Sequence, residues 1–264
     1  MTSSILQPLL VAAGNHDAEG DKHTGEIFTA YEHRFFMPQI APARLGRASK
    51  KHDFDLNKMY QLPYDFGNSF YSYKYGPSHN IILNSFADFE PGSVQYDWLV
   101  DELEKSVDRK VTPWLTVTTH CPMYNTFSKH KDDPQLINLK RYIEPLMVEH
   151  HVNFVFSGHI HAYMRTKPVI NGTIMNTGPI HVILGNGGRE ANAPYDQNEA
   201  EEWVAVRDHT TYGYGIIEFI NTTVAMYRWI HTGHNKPDGE GKYLLDIPEN
   251  VTDSLFVTNQ YFLG

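Results

Sequence analysis

The stretch Val152-Asn153-Phe154-Val155-Phe156-Ser157-Gly158-His159-Ile160-His161 decides how this chain is read. Val152 to Phe156 is a short apolar run rich in β-branched and aromatic residues, the pattern of a strand buried on both faces. It ends at Ser157-Gly158, where glycine lets the backbone turn sharply. His159 and His161 are two residues apart, so in an extended segment both rings lie on one side and reach one ion or two adjacent ions. Two other apolar segments end in a similar way. Leu9–Ala13 reads as a buried strand running into Gly14-Asn15-His16-Asp17, and Trp114–Thr119 as a strand ending at His120. In open α/β sheets, ligands sit where the carboxyl ends of strands meet. Imidazoles and an amide oxygen gathered there suit a borderline divalent ion such as zinc, manganese or iron(II). Taken singly, Gly-Asn-His-Asp is a plausible turn and His120 a plausible packed histidine. All three motifs in this order, each at a strand end, argue for a metal site.

The rest of the chain supplies a matching framework. Phe28, Tyr31 and Phe35 share one face of a short helix, and residues 38–66 are irregular. Phe70–Tyr75 and His79–Ser85 read as a strand pair around Gly76-Pro77. Ser93–Val107 and Pro134–His150 carry apolar residues at helical spacing. Ile180–Leu184, Gly215–Ile220 and Val224–Ile230 read as further strands. Helices alternate with strands early and strands dominate late, which predicts an α/β layered domain. The expected division is 1–176, 177–236 and a separate tail at 237–264.

Composition excludes several classes. The 264 residues carry 22 Lys plus Arg against 31 Asp plus Glu, a net charge of −9 with no basic tract, so nucleic acid is not the expected partner. No run approaches the ~18 apolar residues of a membrane span. Cys121 is the single cysteine, which excludes an internal disulfide; beside His120 it reads as a small buried side chain rather than a soft ligand. No Lys or Arg precedes Ile5–Ala13, and Gln7 and Pro8 interrupt it, so it does not fit a signal peptide. The 15 His are numerous enough that their protonation at acidic pH would reverse the sign of the charge.

Several segments together resemble the purple acid phosphatases within the calcineurin-like metallophosphoesterases. They are Tyr71-Ser72-Tyr73-Lys74-Tyr75-Gly76-Pro77, Gln95-Tyr96-Asp97-Trp98-Leu99, His120 with Pro122-Met123-Tyr124-Asn125, and Phe156 to Tyr163. Gly178-Pro179, Gly185-Asn186-Gly187-Gly188 and Trp203 to Tyr214 extend the match over roughly residues 9–232. The resemblance implies a layered β-sandwich flanked by helices. It also implies hydrolysis of phosphate monoesters at acidic pH by a binuclear centre of iron(III) plus zinc, manganese or iron(II). It makes Asn15, His120 and His159 ligands of the divalent site and His161 a ligand of the iron(III) site. His16 would contact substrate oxygen, and His130 would protonate the leaving group. Where the family often has a second His beside it, this chain has Lys129.

Two family motifs, each a strand ending in Gly-Asp, have no counterpart. Gly20-Asp21 is the single Gly-Asp pair and follows no strand. The iron(III) site thereby keeps His161 but loses its hard oxygen donors, the bridging carboxylate and the coloured tyrosinate. The expectation is an N-terminally truncated member, lacking its first strand–helix units, that binds at most one divalent ion weakly, is not purple and is poorly soluble through exposed sheet edges. Asp17, Asp21 and Tyr163 lie near the motifs, but surface or packing roles are the plainer reading. A non-catalytic remnant and a metallophosphodiesterase are the alternatives. Asn171, Asn221 and Asn250 fit the N-glycosylation triplet, and the family is largely secreted or vacuolar/lysosomal.

Overall fold

Consecutive residues of the central strands are apolar, so that both faces of one sheet must be covered. In the computed structural model, which describes residues 8–20, 26–38, 59–188, 191–234 and 250–262, they are. The strands in chain order are β1 (Tyr71–Tyr75), β2 (Ser78–Ile82), β3 (Trp114–Thr118), β4 (Phe154–Ser157), β5 (Tyr163–Thr166), β6 (Val169–Ile170), β7 (Thr173–Ile174), β8 (Ile180–Leu184), β9 (Val204–Asp208), β10 (Thr211–Phe219), β11 (Val224–His234) and β12 (Asn250–Thr258). The large sheet runs β1-β2-β3-β4-β8-β5-β9. Its centre, β2, β3, β4 and β8, is parallel, and β1, β5 and β9 complete it antiparallel. A second sheet of β10, β11 and β12 is antiparallel throughout.

Three helices pack on or beside the large sheet. α1 is Thr29–Arg34; α2 is Val94–Asp101, prolonged by a π-turn over Glu102–Ser106. α3 spans 134–149 as Pro134–Asn138, a π-turn over Leu139–Ile143, and Glu144–Glu149. Leu115 and Val117 of β3, Val155 of β4 and Ile183 of β8 face Leu99, Leu103, Leu139, Ile143 and Met147 of the helices. Trp114, Phe154, Ile180 and Val182, the alternate residues, face Ala225, Tyr227, Trp229 and Val257 of the second sheet. The architecture is therefore helix layer, large sheet, small sheet, as the α/β sandwich expectation requires. Tyr163 of β5 stacks on Trp229 of β11 with centroids 4.1 Å apart, a contact worth about 0.5–1.5 kcal/mol beyond burial.

Two expectations need correction. Leu9–Ala13 does not form a strand. It joins no β-ladder, and Leu9 is 71% exposed. Side chains hold it: Tyr71 Oη and Tyr31 Oη both donate to the Val11 carbonyl, at 2.6 and 3.2 Å. An apolar run signals burial, but strand formation needs a neighbouring backbone, and none of the described segments pairs with it. The second correction concerns the tail. Residues 250–258 are β12, paired with β11 along its length; residues 237–249 lie outside the described residues. β12 also carries Asp253, whose carboxylate accepts hydrogen bonds from Arg165 Nε and Nη2 of β5 at 2.6 and 2.8 Å and from Tyr163 Oη at 2.6 Å. The expected boundary at 176/177 crosses a single sheet, since β8 lies between β4 and β5.

A second polar network anchors the far end of the sandwich. The Arg109 guanidinium donates to the carbonyls of Pro113, His150 and His151 and to Oδ1 of Asn153 and of Asn259. Burial pulls this guanidinium down to about 10, and five acceptors hold it as a cation.

Burial alone would raise the Asp253 carboxyl, but its bonds to Arg165 and Tyr163 outweigh that and hold it below the usual value. The sign of its pH linkage follows: this stabilisation is present above the unfolded-state value near ~3.9 and is lost as pH falls through the lower folded-state value. Asp253→Ala leaves Arg165 buried without its partner, so we expect a loss of about 3–5 kcal/mol in urea unfolding at neutral pH. A loss below about 1 kcal/mol would show that the pair is not a structural clamp.

Candidate metal centre

Strands β3 and β4 run side by side and end together, and the chain beyond them stays paired. Thr119 N–H donates to Phe156 O at 2.9 Å and Gly158 N–H to His120 O at 3.0 Å. These bonds carry His120 and His159 to the same edge of the sheet, with ring centroids 5.0 Å apart. Asn15 arrives from a different direction, on a single turn of 3-10 helix over Asn15–Asp17. That turn is closed locally, as Gly14 N–H donates to Asp17 Oδ2 at 2.9 Å and Asp17 N–H to Gly14 O at 3.0 Å. Asn15 Oδ1 then lies 3.0 Å from His120 Nε2.

Two glycines permit this approach. A Cβ on Gly14 would sit 2.9 Å from His120 Cε1, and one on Gly185 would sit 1.8 Å from Ile160 O. The first glycine lets the Asn15 turn press against the His120 ring. The second lets the loop after β8 lie against the backbone that carries His159 and His161. The site also stores backbone strain: His130 and His159 have φ of +59° and +65°, a left-handed conformation costing a β-carbon-bearing residue about 1–2 kcal/mol.

The electrostatics suit a ligand set. Burial first, and then repulsion from the nearby imidazoles of His159, His16, His130 and His161, pushes His120 down to about 3. Burial likewise lowers His159, opposed by its hydrogen bond to Asp133. The His120 ring is thus neutral in mildly acidic solution, and burial biases His159 the same way, toward the form metal coordination requires. Phe86 walls the site, 5.6 Å from His120 and 6.4 Å from His159 between centroids. Asn15 Oδ1 and His120 Nε2, 3.0 Å apart, would be two of the atoms to hold a divalent ion there. An amide oxygen and neutral imidazoles fit a divalent ion.

The structure thus brings Asn15, His120 and His159 together, with His16, His130 and His161 close enough to repel a proton on His120. It does not recruit the spare oxygen donors. Asp17 is spent on Gly14. Tyr163 points into the sandwich, bonded to Asp253. Asp21 lies outside the described residues. Cys121 is buried, its sulfhydryl pushed up by burial. Asn171 and Asn221 are exposed in turns, while the Asn250 side chain is outside the described set.

Sequence reasoning missed Asp133. Its Oδ2 lies 2.9 Å from His130 Nδ1 and 3.1 Å from His159 Nε2, and the three side chains form a group with donor atoms within 4.8 Å. Asp133 precedes Pro134 at the start of α3 and so reads as a helix cap. The available signal was its spacing of three from His130.

Residues 2–163 match the calcineurin-like phosphoesterase family, and residues 178–239 match the iron/zinc purple acid phosphatase-like C-terminal family. The chain belongs to the calcineurin-like phosphoesterases. Within them its relatives are purple acid phosphatases. Purple acid phosphatase 18 of Arabidopsis thaliana is 32% identical over 233 residues, covering 88% of this chain and 48% of the relative. Purple acid phosphatase 1 of Ipomoea batatas is 28% identical over 98% of this chain and 50% of its own. The solved purple acid phosphatase PPD1 from yellow lupin seeds shares the fold, with a TM-score of 0.66 and 20% identity over 94% of this chain and 40% of that one. This phosphoesterase chain spans about half the length of the curated relatives it matches.

The Gly14 contact yields a test of the centre. Gly14→Ala pushes a methyl against the His120 ring, and we expect zinc or manganese affinity to fall about tenfold or more in calorimetric titration. Unchanged affinity would show that the Asn15 turn does not position His120.

Proposed function

We propose that this chain hydrolyses phosphate monoesters at acidic pH with one divalent ion held by Asn15, His120 and His159. The convergence of His120 and His159, at paired strand ends, with Asn15 from a separate turn carries the reading, and membership of the phosphoesterase family supports it. Bound there, a divalent ion neutralises phosphate charge and acidifies a bound water.

The chain's own residues do the rest. Asn15, His120 and His159 offer neutral donors. His16, exposed beside the ligand turn, reaches substrate oxygen. His130, with 41% of its side chain exposed, stands at the rim, where a leaving-group oxygen departs. An imidazole placed there can deliver the proton such a leaving group needs. Lys129 is held by Asn192 Oδ1 at 2.6 Å and adds positive charge at the same rim. His161 is the remaining donor for the iron(III) position of the binuclear family centre. Because Asp17 and Tyr163 are committed elsewhere, we infer a single divalent ion and weak turnover rather than the full centre. Exposed acceptor sites at Asn171 and Asn221 support glycosylation and a secreted or vacuolar setting. Among the described residues, no helix is long and apolar enough to cross a membrane.

The test is p-nitrophenyl phosphate turnover near about pH 5 with and without added manganese, alongside metal analysis. We expect slow, manganese-dependent turnover, no more than one bound ion per chain, and a loss in His120→Ala exceeding the roughly 10–100-fold typical of outer-shell partners. Two tightly held ions per chain would overturn the single-ion reading. Faster cleavage of bis-p-nitrophenyl phosphate than of the monoester would overturn the monoester assignment. No metal-dependent cleavage of either ester would leave a non-catalytic binding chain.

A further inference from the structure

Asp133 occupies the residue before Pro134 at the start of α3, where an aspartate ordinarily caps the helix. Its side chain makes no capping bond, forgoing about 1 kcal/mol that such a cap contributes. Instead one oxygen, Oδ2, meets His130 Nδ1 at 2.9 Å and His159 Nε2 at 3.1 Å. The two imidazoles lie against each other with centroids 4.1 Å apart. Both histidines are held in left-handed backbone conformations, so the local chain is bent to bring two rings to one carboxylate. The His159 side chain is 4% exposed and Asp133 35%, so water competes little for the inner bond.

We propose that Asp133 is a positioning residue that fixes the tautomers of two site histidines at once. An ionised carboxylate is acceptor-only. It therefore takes the proton-bearing face of each ring: Nε2–H of His159 and Nδ1–H of His130. The proton on His159 Nε2 leaves Nδ1 as the lone-pair atom available to a divalent ion, the carboxylate–histidine–metal arrangement that orients a ligand imidazole and raises its basicity. The bond at His130 Nδ1 leaves Nε2 as the atom free to face substrate. One side chain thus couples ligand orientation to the ring proposed to protonate the leaving group. The metal half of this inference rests on the proposed divalent site; the tautomer half does not.

The two halves are separable by experiment. The metal-free full chain, labelled with nitrogen-15 in histidine, is examined by two-bond proton–nitrogen correlation near about pH 7.5, with the His159 signals assigned through His159→Gln. We expect His159 as the Nε2–H tautomer in the parent chain and in Asp133→Asn, whose amide oxygen still accepts. In Asp133→Ala that preference should be lost. Zinc titration should then shift Nδ1 of His159 in the parent chain, and calorimetry should show about 10–100-fold weaker zinc binding in Asp133→Ala. Finding the Nδ1–H tautomer in the parent chain overturns the proposal, as does an unchanged tautomer in Asp133→Ala. A zinc shift at Nε2 also overturns it, because Asp133 would then share the ion directly. The expected tautomers with no zinc binding by the parent chain would sink the metal-site reading and leave the positioning role standing. Asp133→Asn, nearly isosteric, keeps the test valid if the alanine variant fails to fold.

Discussion

The site depends on two backbone hydrogen bonds that continue the β3–β4 pairing beyond the strands themselves, Thr119 to Phe156 and Gly158 to His120. Parallel neighbours would otherwise part at their ends, and each loop would choose its own direction. Held in step, the loops place His120 and His159 at a fixed separation with no help from each other's side chains. The strands can impose this because they are covered on both faces. Leu115, Val117 and Val155 are locked under the helices, and Trp114 and Phe154 under the second sheet. A rigid double-sided core thus sets the spacing of polar groups at its rim, which is why sites on such sheets are precise.

What the rim then adds is convergence from elsewhere in the chain. Asn15 comes from a short turn whose shape is set by Asp17 and whose closeness is allowed by Gly14. Burial, and then repulsion from the neighbouring imidazoles, disfavours a proton on His120. The neutral imidazole that results is the form a metal ligand must take. Asp133 supplies the compensating anion on the outer side.

Much of this was legible in the sequence. The runs Trp114–Thr119, Val152–Phe156 and Ile180–Leu184 were readable because a strand covered on both faces is rich in apolar and β-branched residues. The histidines that follow the first two stood out against that background. Leu9–Ala13 misled for the same reason, since Leu10 to Ala13 pack into the clusters that hold Tyr31 and Tyr71 while their backbone joins no ladder among the described residues. β5, β9 and β12 escaped because they are short or polar: Arg165 and Asp253 look like surface charges until their mutual burial is seen. Asp133 escaped because Asp-Pro has a sufficient local explanation as a helix start. Only tertiary placement shows that the side chain has turned away from that role.

Arg109 carries a further consequence. Its guanidinium is satisfied by groups near the ends of α3 and β12 and by the residues that lead into β3 and β4, and its last partner, Asn259, is 150 residues downstream. During synthesis the cation must therefore keep one of its donors partly hydrated until the 150 residues that separate it from Asn259 have been made. Contacts so distant in sequence form slowly, because loop closure comes before any reward. Locking of the two sheets therefore waits on residues near Asn259, and a chain cut before that residue would leave the guanidinium with four of its five acceptors beneath an unfinished sandwich.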